Sequence, residues 1–369
     1  MQGSVGCPEA VRLLVISARS TYIGGSLAGA ILGLHWPSLT FGADGVAAGF
    51  DAVERDMMAI ADRTIDIPSA VLGLLPWTTG AAQVARRLDR RFRGALLADL
   101  SYEYPRFTFN STNQQTGNLF RWAPRYGADH EAGWIDNPQL SLAQTVAASA
   151  AFPPWLSPLR IRVPGTFVDA NTKEPKPYPP DWLWLTDGGV YDNLGLETLK
   201  SFHTVIASDG GAPFHKAARL RTNVFSQSLR TTFTINDHVG RLRRRNLVHE
   251  LATGQRLGAL WTISTTMDRY DAPGLLPCPH AAVRALAAIR TRLRRMPRRV
   301  QHRLINWGYA SADAGIRTYV ERSLNPPTSF PYNGGSDRSR RGSDERLLRG
   351  QDLPYNRGGC THGGGRRTA

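Results

Sequence analysis

The chain has 369 residues, with 45 Lys and Arg against 30 Asp and Glu, which gives a formal net charge of +15. Hydrophobic residues make up 41% of the chain and charged residues 20%, enough apolar material for one or two ordinary cores. This composition excludes a wholly disordered chain, a coiled coil and a collagen-like repeat. The three cysteines are too few for a disulfide scaffold and have no metal-ligand spacing, so we expect neither a metal nor another cofactor.

The N-terminal region contains an uncharged run over residues 20–43. Its apolar centre, residues 23–34, falls short of the roughly 20 apolar residues that a transmembrane helix needs. The N-terminus also lacks a cationic segment followed by an apolar one, so no secretory signal is visible. We expect a soluble cytoplasmic protein.

The first elements follow from apolar spacing and glycines. Residues 11–17 are typical of a buried strand, residues 20–23 of a short extended segment, and Gly24-Gly25 of a sharp turn. Small and apolar side chains predict a closely packed helix over residues 26–34. A second, amphipathic helix is predicted from apolar residues that recur every three or four positions, namely Val46, Phe50, Val53, Met57 and Ile60.

The middle of the chain alternates strands with helices, which favours a three-layer α/β domain. A hairpin is predicted from residues 106–110 and 118–122, and a proline-rich surface loop over residues 164–181. The predicted strands are residues 182–186 and 204–208. The predicted helices are residues 141–151, stopped by Pro153-Pro154, then 195–202, and helical patterns over 281–293 and 300–324.

The C-terminal stretch, residues 333–369, is rich in Gly, Arg, Ser and Asp with few apolar residues, so we expect it to be disordered. The predicted organisation is one domain over residues 1–325, with a helical part at about 281–324, and a tail over residues 326–369.

Two short motifs could carry chemistry. Gly24-Gly25-Ser26-Leu27-Ala28 has the form G-x-S-x-A, a variant of the nucleophile elbow that projects a serine hydroxyl from a strand-to-helix turn. Asp187-Gly188-Gly189 follows an apolar strand, where a carboxylate can point into the ligand crevice of an α/β protein and accept the serine proton. Each motif also has a purely structural interpretation, as a small-residue helix start and as an Asp-capped turn. A second Asp-Gly-Gly, at residues 209–211, is interpreted as such a turn.

The order of these motifs resembles the patatin-like phospholipases. The residues that carry the resemblance are Ser26 in its elbow, the run Ala147-Ala148-Ser149-Ala150-Ala151-Phe152-Pro153-Pro154, and residues 187–197, over roughly residues 20–325. The segment Phe109-Asn110-Ser111-Thr112-Asn113, before a Thr-Gly turn, also resembles bacterial members of that family. The resemblance implies an α/β/α domain with a central, mainly parallel sheet. It also implies hydrolysis of lipid acyl esters by a Ser–Asp dyad with no metal, with Ser26 as nucleophile and Asp187 as general base.

The same resemblance suggests further site residues. Gly24, Gly25, Gly188 and Gly189 would let the backbone pass close to substrate or to the elbow. Phe152 and Trp155 could line an acyl channel, and they are equally consistent with a place in the core.

One motif of the family does not match. Patatin-like domains carry a loop of the form G-G-G-x-R/K-G after their first strand, whose amides form the oxyanion hole, and nothing in residues 1–23 has that form. Loss of a single oxyanion donor costs about 100- to 1,000-fold in rate. The domain is therefore expected to be N-terminally incomplete, and a catalytically impaired or non-catalytic member of the family is the alternative.

Two other functions remain open. A Ser–His–Asp hydrolase would use Ser26, Asp187 and either His203 or His215, in the chain order of that class. A basic protein that binds nucleic acid or an anionic surface is suggested by the charge and by the arginines of residues 241–245 and 284–303. Apolar residues at helical spacing among those arginines favour a solvated helix face, followed by transient contact with an anionic membrane, with nucleic acid the least favoured. Oligomeric state cannot be read from the sequence.

Overall fold

The computed structural model describes residues 25–42, 47–73, 77–102, 105–163, 165–176, 181–214, 216–290 and 292–332. The α-helices in this part of the chain are α1 (Gly25–His35), α2 (Phe50–Ala61), α3 (Asp66–Leu72), α4 (Gly80–Phe92), α5 (Leu142–Ser149), α6 (Gly189–Asp192), α7 (Val224–Ala252), α8 (His280–Ala287) and α9 (Arg298–Tyr319). The strands are β1 (Thr40–Phe41), β2 (Ala47–Ala48), β3 (Phe109–Asn113), β4 (Leu119–Ala123), β5 (Tyr126–Asp129), β6 (Gly133–Asp136), β7 (Leu159–Arg162), β8 (Trp182–Asp187), β9 (Thr204–Asp209) and β10 (Leu257–Thr262).

The α/β class is confirmed, but the arrangement of the strands differs from the expected one. The largest sheet has the order β6-β5-β4-β3-β8-β7, and every neighbouring pair in it is antiparallel. Short turns join β3 through β6, and connections of that length permit only antiparallel neighbours. In the part of the chain that the structure describes, the parallel pair is β9 with β10. A central, mainly parallel sheet is therefore not seen within the described ranges.

The main core lies between the six-stranded sheet and helices α1, α2, α4 and α5. Helix α5 contacts β3, β7 and β8 as well as α1 and α4, so it is the central helix of this layer. Its N-cap is Ser141, whose hydroxyl accepts a hydrogen bond from the Ala143 amide. Apolar residues from the helices and strands fill the space between them, among them Leu27, Val84, Trp122, Leu142 and Leu185. This packing fixes the end of α5 against the end of β8.

A second body of apolar contacts joins the parallel strands to the C-terminal helices. Ala259 and Trp261 of β10 pack with Val283 of α8 and Trp307 of α9. Among the described residues, no helix is both long enough and apolar enough to cross a membrane.

Several predicted elements are confirmed. The helix predicted at residues 26–34 is α1, the amphipathic helix is α2, and the predicted hairpin is the β3–β4 pair. The helix ended by Pro153-Pro154 is α5, and the strands predicted at 182–186 and 204–208 are β8 and β9.

Three predictions were wrong or incomplete. The helix expected at residues 195–202 is only a 3-10 helix over Leu196–Leu199. The loop at 164–181 is not wholly on the surface, since Phe167 is buried and Val168 bridges Trp134. The long helix α7 was not predicted at all.

Some predictions fall outside the described residues. They are the strands at 11–17 and 20–23, Gly24, His215 and the tail at 333–369.

Candidate functional site

Ser26 lies at the start of α1, as the second residue of that helix, and its side chain is buried. The first amides of a helix have no partner within the helix, and together they give its N-terminus a partial positive charge. An oxygen that develops negative charge at this position is therefore stabilised.

The Ser26 hydroxyl has a defined partner. Its Oγ donates a hydrogen bond of 2.8 Å to the Oγ of Ser149, the last residue of α5. Ser149 is fully buried. The contact joins residues 123 positions apart in the sequence, so it is a product of the packing of α1 against α5.

Asp187 ends β8 and is fully buried. Its Oδ1 accepts a hydrogen bond of 2.7 Å from the Gly189 amide, while its Oδ2 has no hydrogen-bond partner among the described residues. Burial raises the pKa of the Asp187 carboxyl well above its ordinary value, and the Gly189 amide offsets part of that rise. A carboxyl that holds its proton tightly and has one open oxygen has the properties of a general acid or base.

The second Asp-Gly-Gly of the chain shows what is particular to Asp187. Asp209 also ends a strand, and its Oδ1 accepts a hydrogen bond from the Gly211 amide at 3.0 Å. Its Oδ2, however, accepts a hydrogen bond of 2.6 Å from Arg244. The hydrogen bond from the glycine two residues later is the same in both places, but among the described residues an arginine pairs with Asp209 and not with Asp187. The prediction that Asp209 serves a structural turn is consistent with this geometry.

The backbone around Asp187 is held from two sides. Thr112 of β3 donates its hydroxyl to the Asp187 carbonyl oxygen at 2.8 Å, and the Asp187 amide donates to the Ala151 carbonyl oxygen just after α5. A Cβ on Gly188 would lie 2.4 Å from the Asn110 carbonyl oxygen, so only glycine fits there. The backbone at Gly188 was predicted to pass close to substrate or to the elbow, and in the structure it passes close to strand β3.

The remaining motif residues also have defined positions. Gly189 begins α6 and supplies the amide that holds Asp187, while Gly25 begins α1. Asp192 is buried, and it accepts hydrogen bonds from the amides of Leu194 and Glu197. Hydrogen bonds within residues 187–197 therefore fix the backbone that follows β8 and hold the Asp187 carboxyl in place.

The structure brings both Ser26 and Asp187 to the C-terminal end of α5, and no hydrogen bond between the two is seen among the described residues. Ser26 contacts Ser149 at the end of that helix, and Asp187 contacts Ala151 two residues further on. Because the single hydroxyl proton of Ser26 is donated to Ser149, a transfer to Asp187 requires the side chain of Ser26 to rotate or Ser149 to relay the proton.

An open cleft of about 570 Å³ lies beside the end of β8. Its lining includes Thr112, Thr186 and Tyr191, which flank Asp187 along the chain or in the sheet. Small-molecule sites commonly enclose about 300–1,000 Å³. The cleft therefore has the size of a small-molecule site, but its lining contains neither Ser26 nor Asp187.

The two residues predicted for an acyl channel lie outside the lining of that cleft. Phe152 is buried and stacks on Phe233 of α7, with ring centroids 5.5 Å apart. Trp155 is 49% exposed and meets Phe225 of α7 edge-on. The structure thus places one in the core and the other at the surface.

The comparison with protein families bears on this arrangement. The family model described as patatin-like phospholipase matches residues 14–200, a range that includes Ser26, Ser149 and Asp187. The chain belongs to the patatin-like phospholipase family. A comparison with curated proteins gives no match to this chain. The activity associated with patatin-like proteins is the hydrolysis of lipid acyl esters, in agreement with the resemblance of the motifs.

The residues of the rival triad have other surroundings in this patatin-like protein. The His203 side chain is exposed, and its backbone carbonyl accepts a hydrogen bond from Leu257. His215 lies outside the described residues. The hydrogen bond that the Asp187 carboxyl receives within the described part comes from Gly189. Among the described residues, no histidine forms a hydrogen bond with Asp187.

Many of the arginines that suggested a basic surface are paired with carboxylates. Arg241 pairs with Asp237, Arg243 with Glu197, and Arg244 with Asp209. In the second cluster, Arg292 pairs with Asp66 and Arg298 with Asp62.

Within the described ranges, no group of three or more His, Cys, Asp or Glu side chains is placed to hold a metal ion.

Ser149 and Thr112 are the contacts of the site that sequence reasoning did not assign. Ser149 stood in the family motif, but that motif gave it no role. Thr112 lies in β3, whose residues are all buried although the strand sequence is Phe-Asn-Ser-Thr-Asn. Buried polar side chains need hydrogen-bond partners, so a fully buried strand that contains several of them indicates hydrogen bonds to neighbouring segments. The identity of those partners, such as the Asp187 carbonyl oxygen for Thr112, is seen only in the folded structure.

Proposed function

We propose that this protein hydrolyses acyl esters of lipids, with Ser26 as the nucleophile and Asp187 as the general base. The observation that carries the proposal is the contrast between the two Asp-Gly-Gly turns. The Oδ2 of Asp187 is buried and has no hydrogen-bond partner among the described residues, whereas the Oδ2 of Asp209 accepts a hydrogen bond from Arg244. A buried carboxyl oxygen without a hydrogen-bond partner lowers the stability of the folded protein. Buried titratable groups of this kind cluster at functional sites.

The reaction would proceed in two halves. The Ser26 Oγ attacks the ester carbonyl carbon, the C=O π electrons move onto oxygen, and the serine proton passes to Asp187 Oδ2. The tetrahedral intermediate then collapses, the bond to the leaving alcohol breaks, and Asp187 returns the proton to that alcohol. In the second half, water attacks the acyl-serine carbonyl carbon while Asp187 takes a proton from the water. The second tetrahedral intermediate then collapses, the bond between the acyl carbon and Ser26 Oγ breaks, and Asp187 returns the proton to Oγ as the fatty acid leaves.

Three features of the site support these steps. The N-terminus of α1 favours negative charge near Ser26 during attack. Burial of both side chains excludes bulk water, which strengthens electrostatic interactions in the site. The hydrogen bond to Ser149 holds the hydroxyl in place before substrate arrives.

The raised pKa of Asp187 sets the expected pH dependence. As a base, Asp187 must be ionised in the free enzyme, so activity rises as the pH rises through its pKa. That midpoint should lie well above the ordinary range of an aspartate, because burial disfavours the ionised form.

The experiment compares hydrolysis of short-chain aryl esters and phospholipid vesicles by wild type, Ser26→Ala and Asp187→Asn. The matched controls are Ser311→Ala, which removes a buried serine of α9, and Asp209→Asn, which changes the carboxylate of the other turn. We expect a loss of at least about 1,000-fold for the two site variants. The two controls should retain the wild-type rate, provided that their melting curves show them folded.

A second candidate function is a non-catalytic patatin-like protein. The observation that favours it is that the Ser26 hydroxyl donates to Ser149 and not to Asp187. Equal rates for wild type, Ser26→Ala and Asp187→Asn on every ester would select this candidate and refute the proposed hydrolase.

A further inference from the structure

A group of large apolar side chains lies exposed around the end of the loop that follows α5. Trp77 is 77% exposed and Val224 is 82% exposed. We call the group the apolar rim, and its members are Val71, Leu72, Trp77, Trp155, Val224 and Phe225. Single exposed apolar residues are ordinary, but a contiguous group marks an interaction surface.

Contacts between the segments show that the rim is contiguous. At the end of α3, a Cβ on Gly73 would lie 2.3 Å from the Gly80 nitrogen, so α3 abuts the start of α4. The Ala81 amide in turn donates to the Leu156 carbonyl oxygen, beside Trp155. Trp155 meets Phe225 with ring centroids 5.9 Å apart. The three segments therefore form one surface, and Trp77 lies just before α4.

Helix α7 extends from this surface with little support from the core. It has 29 residues, and its buried residues are Gly240 and Leu247, both in the C-terminal half. In the N-terminal half, Phe233 stacks on Phe152 and remains 37% exposed. Core packing alone does not account for the apolar side chains at the start of this helix.

The chain segments that contribute the rim carry side-chain charges of one sign. The segments that form it, residues 67–88, 137–168 and 210–236, contain no Asp or Glu. They do contain basic residues, which are Arg86, Arg87, Arg160, Arg162, Lys216, Arg219, Arg221 and Arg230. These segments therefore combine exposed aromatic rings with positive charge.

We infer that the apolar rim docks on the surface of an anionic phospholipid bilayer, an inference that rests on the proposed function for its purpose. Tryptophan is favoured at the boundary of headgroups and acyl chains, and arginine pairs with lipid phosphates. Trp155 lies six residues after Ser149, so docking brings the membrane to the end of α5, where Ser26 and Asp187 lie. The partner is the lipid surface that supplies the substrate.

The test measures flotation of the Ser26→Ala protein with vesicles of phosphatidylcholine, with and without a quarter of phosphatidylglycerol. This variant removes hydrolysis, so binding is measured whether or not the enzyme is active. We expect flotation with the anionic vesicles, weakened by high salt. Adding Trp77→Ser and Phe225→Ser should reduce it about tenfold or more, because two large apolar side chains no longer enter the lipid.

The matched control adds Val248→Ser and Leu257→Ser to the same background. These residues are 52% and 53% exposed and lie outside the rim, so binding should equal that of the Ser26→Ala parent. Circular dichroism and melting curves check that each protein is folded.

Three results would overturn the inference. They are equal flotation with both kinds of vesicle, unchanged flotation of the Trp77→Ser and Phe225→Ser variant, and a dimer that this variant converts to monomer without a change in flotation. The last result would show that the apolar rim binds a second copy of the chain and not a membrane. Equal rates of aryl-ester hydrolysis by wild type and Ser26→Ala would refute the proposed function and leave the docking surface standing.

Discussion

Replacement of Asp187 by asparagine should change how the stability of the protein depends on pH. The carboxyl is fully buried, holds one hydrogen bond from Gly189 and leaves Oδ2 without a partner. Burial raises its pKa in the folded protein well above the value of about 3.9 that an aspartate has in an unfolded chain. Between these two pKa values the folded state holds one proton more than the unfolded state.

The sign and size of the effect follow from proton linkage. Because the folded state binds the extra proton, the free energy of unfolding of the wild type falls as pH rises, by about 1.4 kcal/mol per pH unit from this residue. The asparagine variant does not titrate here. Its stability relative to wild type should therefore grow with that slope above about pH 4 and level off at the pKa of Asp187 in the folded protein.

Urea unfolding of both proteins, from about pH 4 to about pH 8, measures this difference. The amide that replaces Oδ2 adds a constant offset, so the slope is the quantity that matters. A difference that does not depend on pH, or wild type gaining on the variant as pH rises, would show that Asp187 is ionised in the folded protein. That result would refute the argument that burial raises the pKa of Asp187 in the folded protein.

Three further substitutions test the geometry of the site. Asp209→Asn should lower the free energy of unfolding by about 1.5–3 kcal/mol at neutral pH, since the hydrogen bond from Arg244 loses its charged acceptor; urea unfolding measures it. Gly188→Ala should cost about 1–3 kcal/mol, or more, because its Cβ would meet the Asn110 carbonyl oxygen; a melting curve like that of wild type would contradict this close approach. Ser149→Ala should lower kcat about 10- to 100-fold with KM little changed, because the nucleophile loses its hydrogen-bond acceptor; an unchanged kcat would exclude a positioning role.

Local signals in the sequence were sufficient for the elements that carry the site. Apolar and small residues after Gly25 predicted α1, and the double proline predicted the end of α5. The apolar run before Asp187 predicted β8. Each of these depends on neighbours within a turn or a strand, so a single sequence contains the information.

The features that were missed depend on contacts between distant residues. Helix α7 buries only two residues, so its sequence lacks the continuous apolar stripe from which helices are predicted. The antiparallel sheet depends on which strands pair, and the hydrogen bond of Ser26 depends on α5 packing against α1. The open oxygen of Asp187 could not be distinguished from the paired oxygen of Asp209, because Arg244 reaches Asp209 from α7.

The most direct test of the central claim is covalent labelling of the nucleophile. The protein is treated with a serine-reactive fluorophosphonate, and its peptides are analysed by mass spectrometry. The account predicts that the label is on Ser26, is absent from Ser26→Ala and is strongly reduced in Asp187→Asn, because the base that activates the hydroxyl is gone. Label on another serine, or an unlabelled Ser26 in a protein that still hydrolyses esters, would contradict the account.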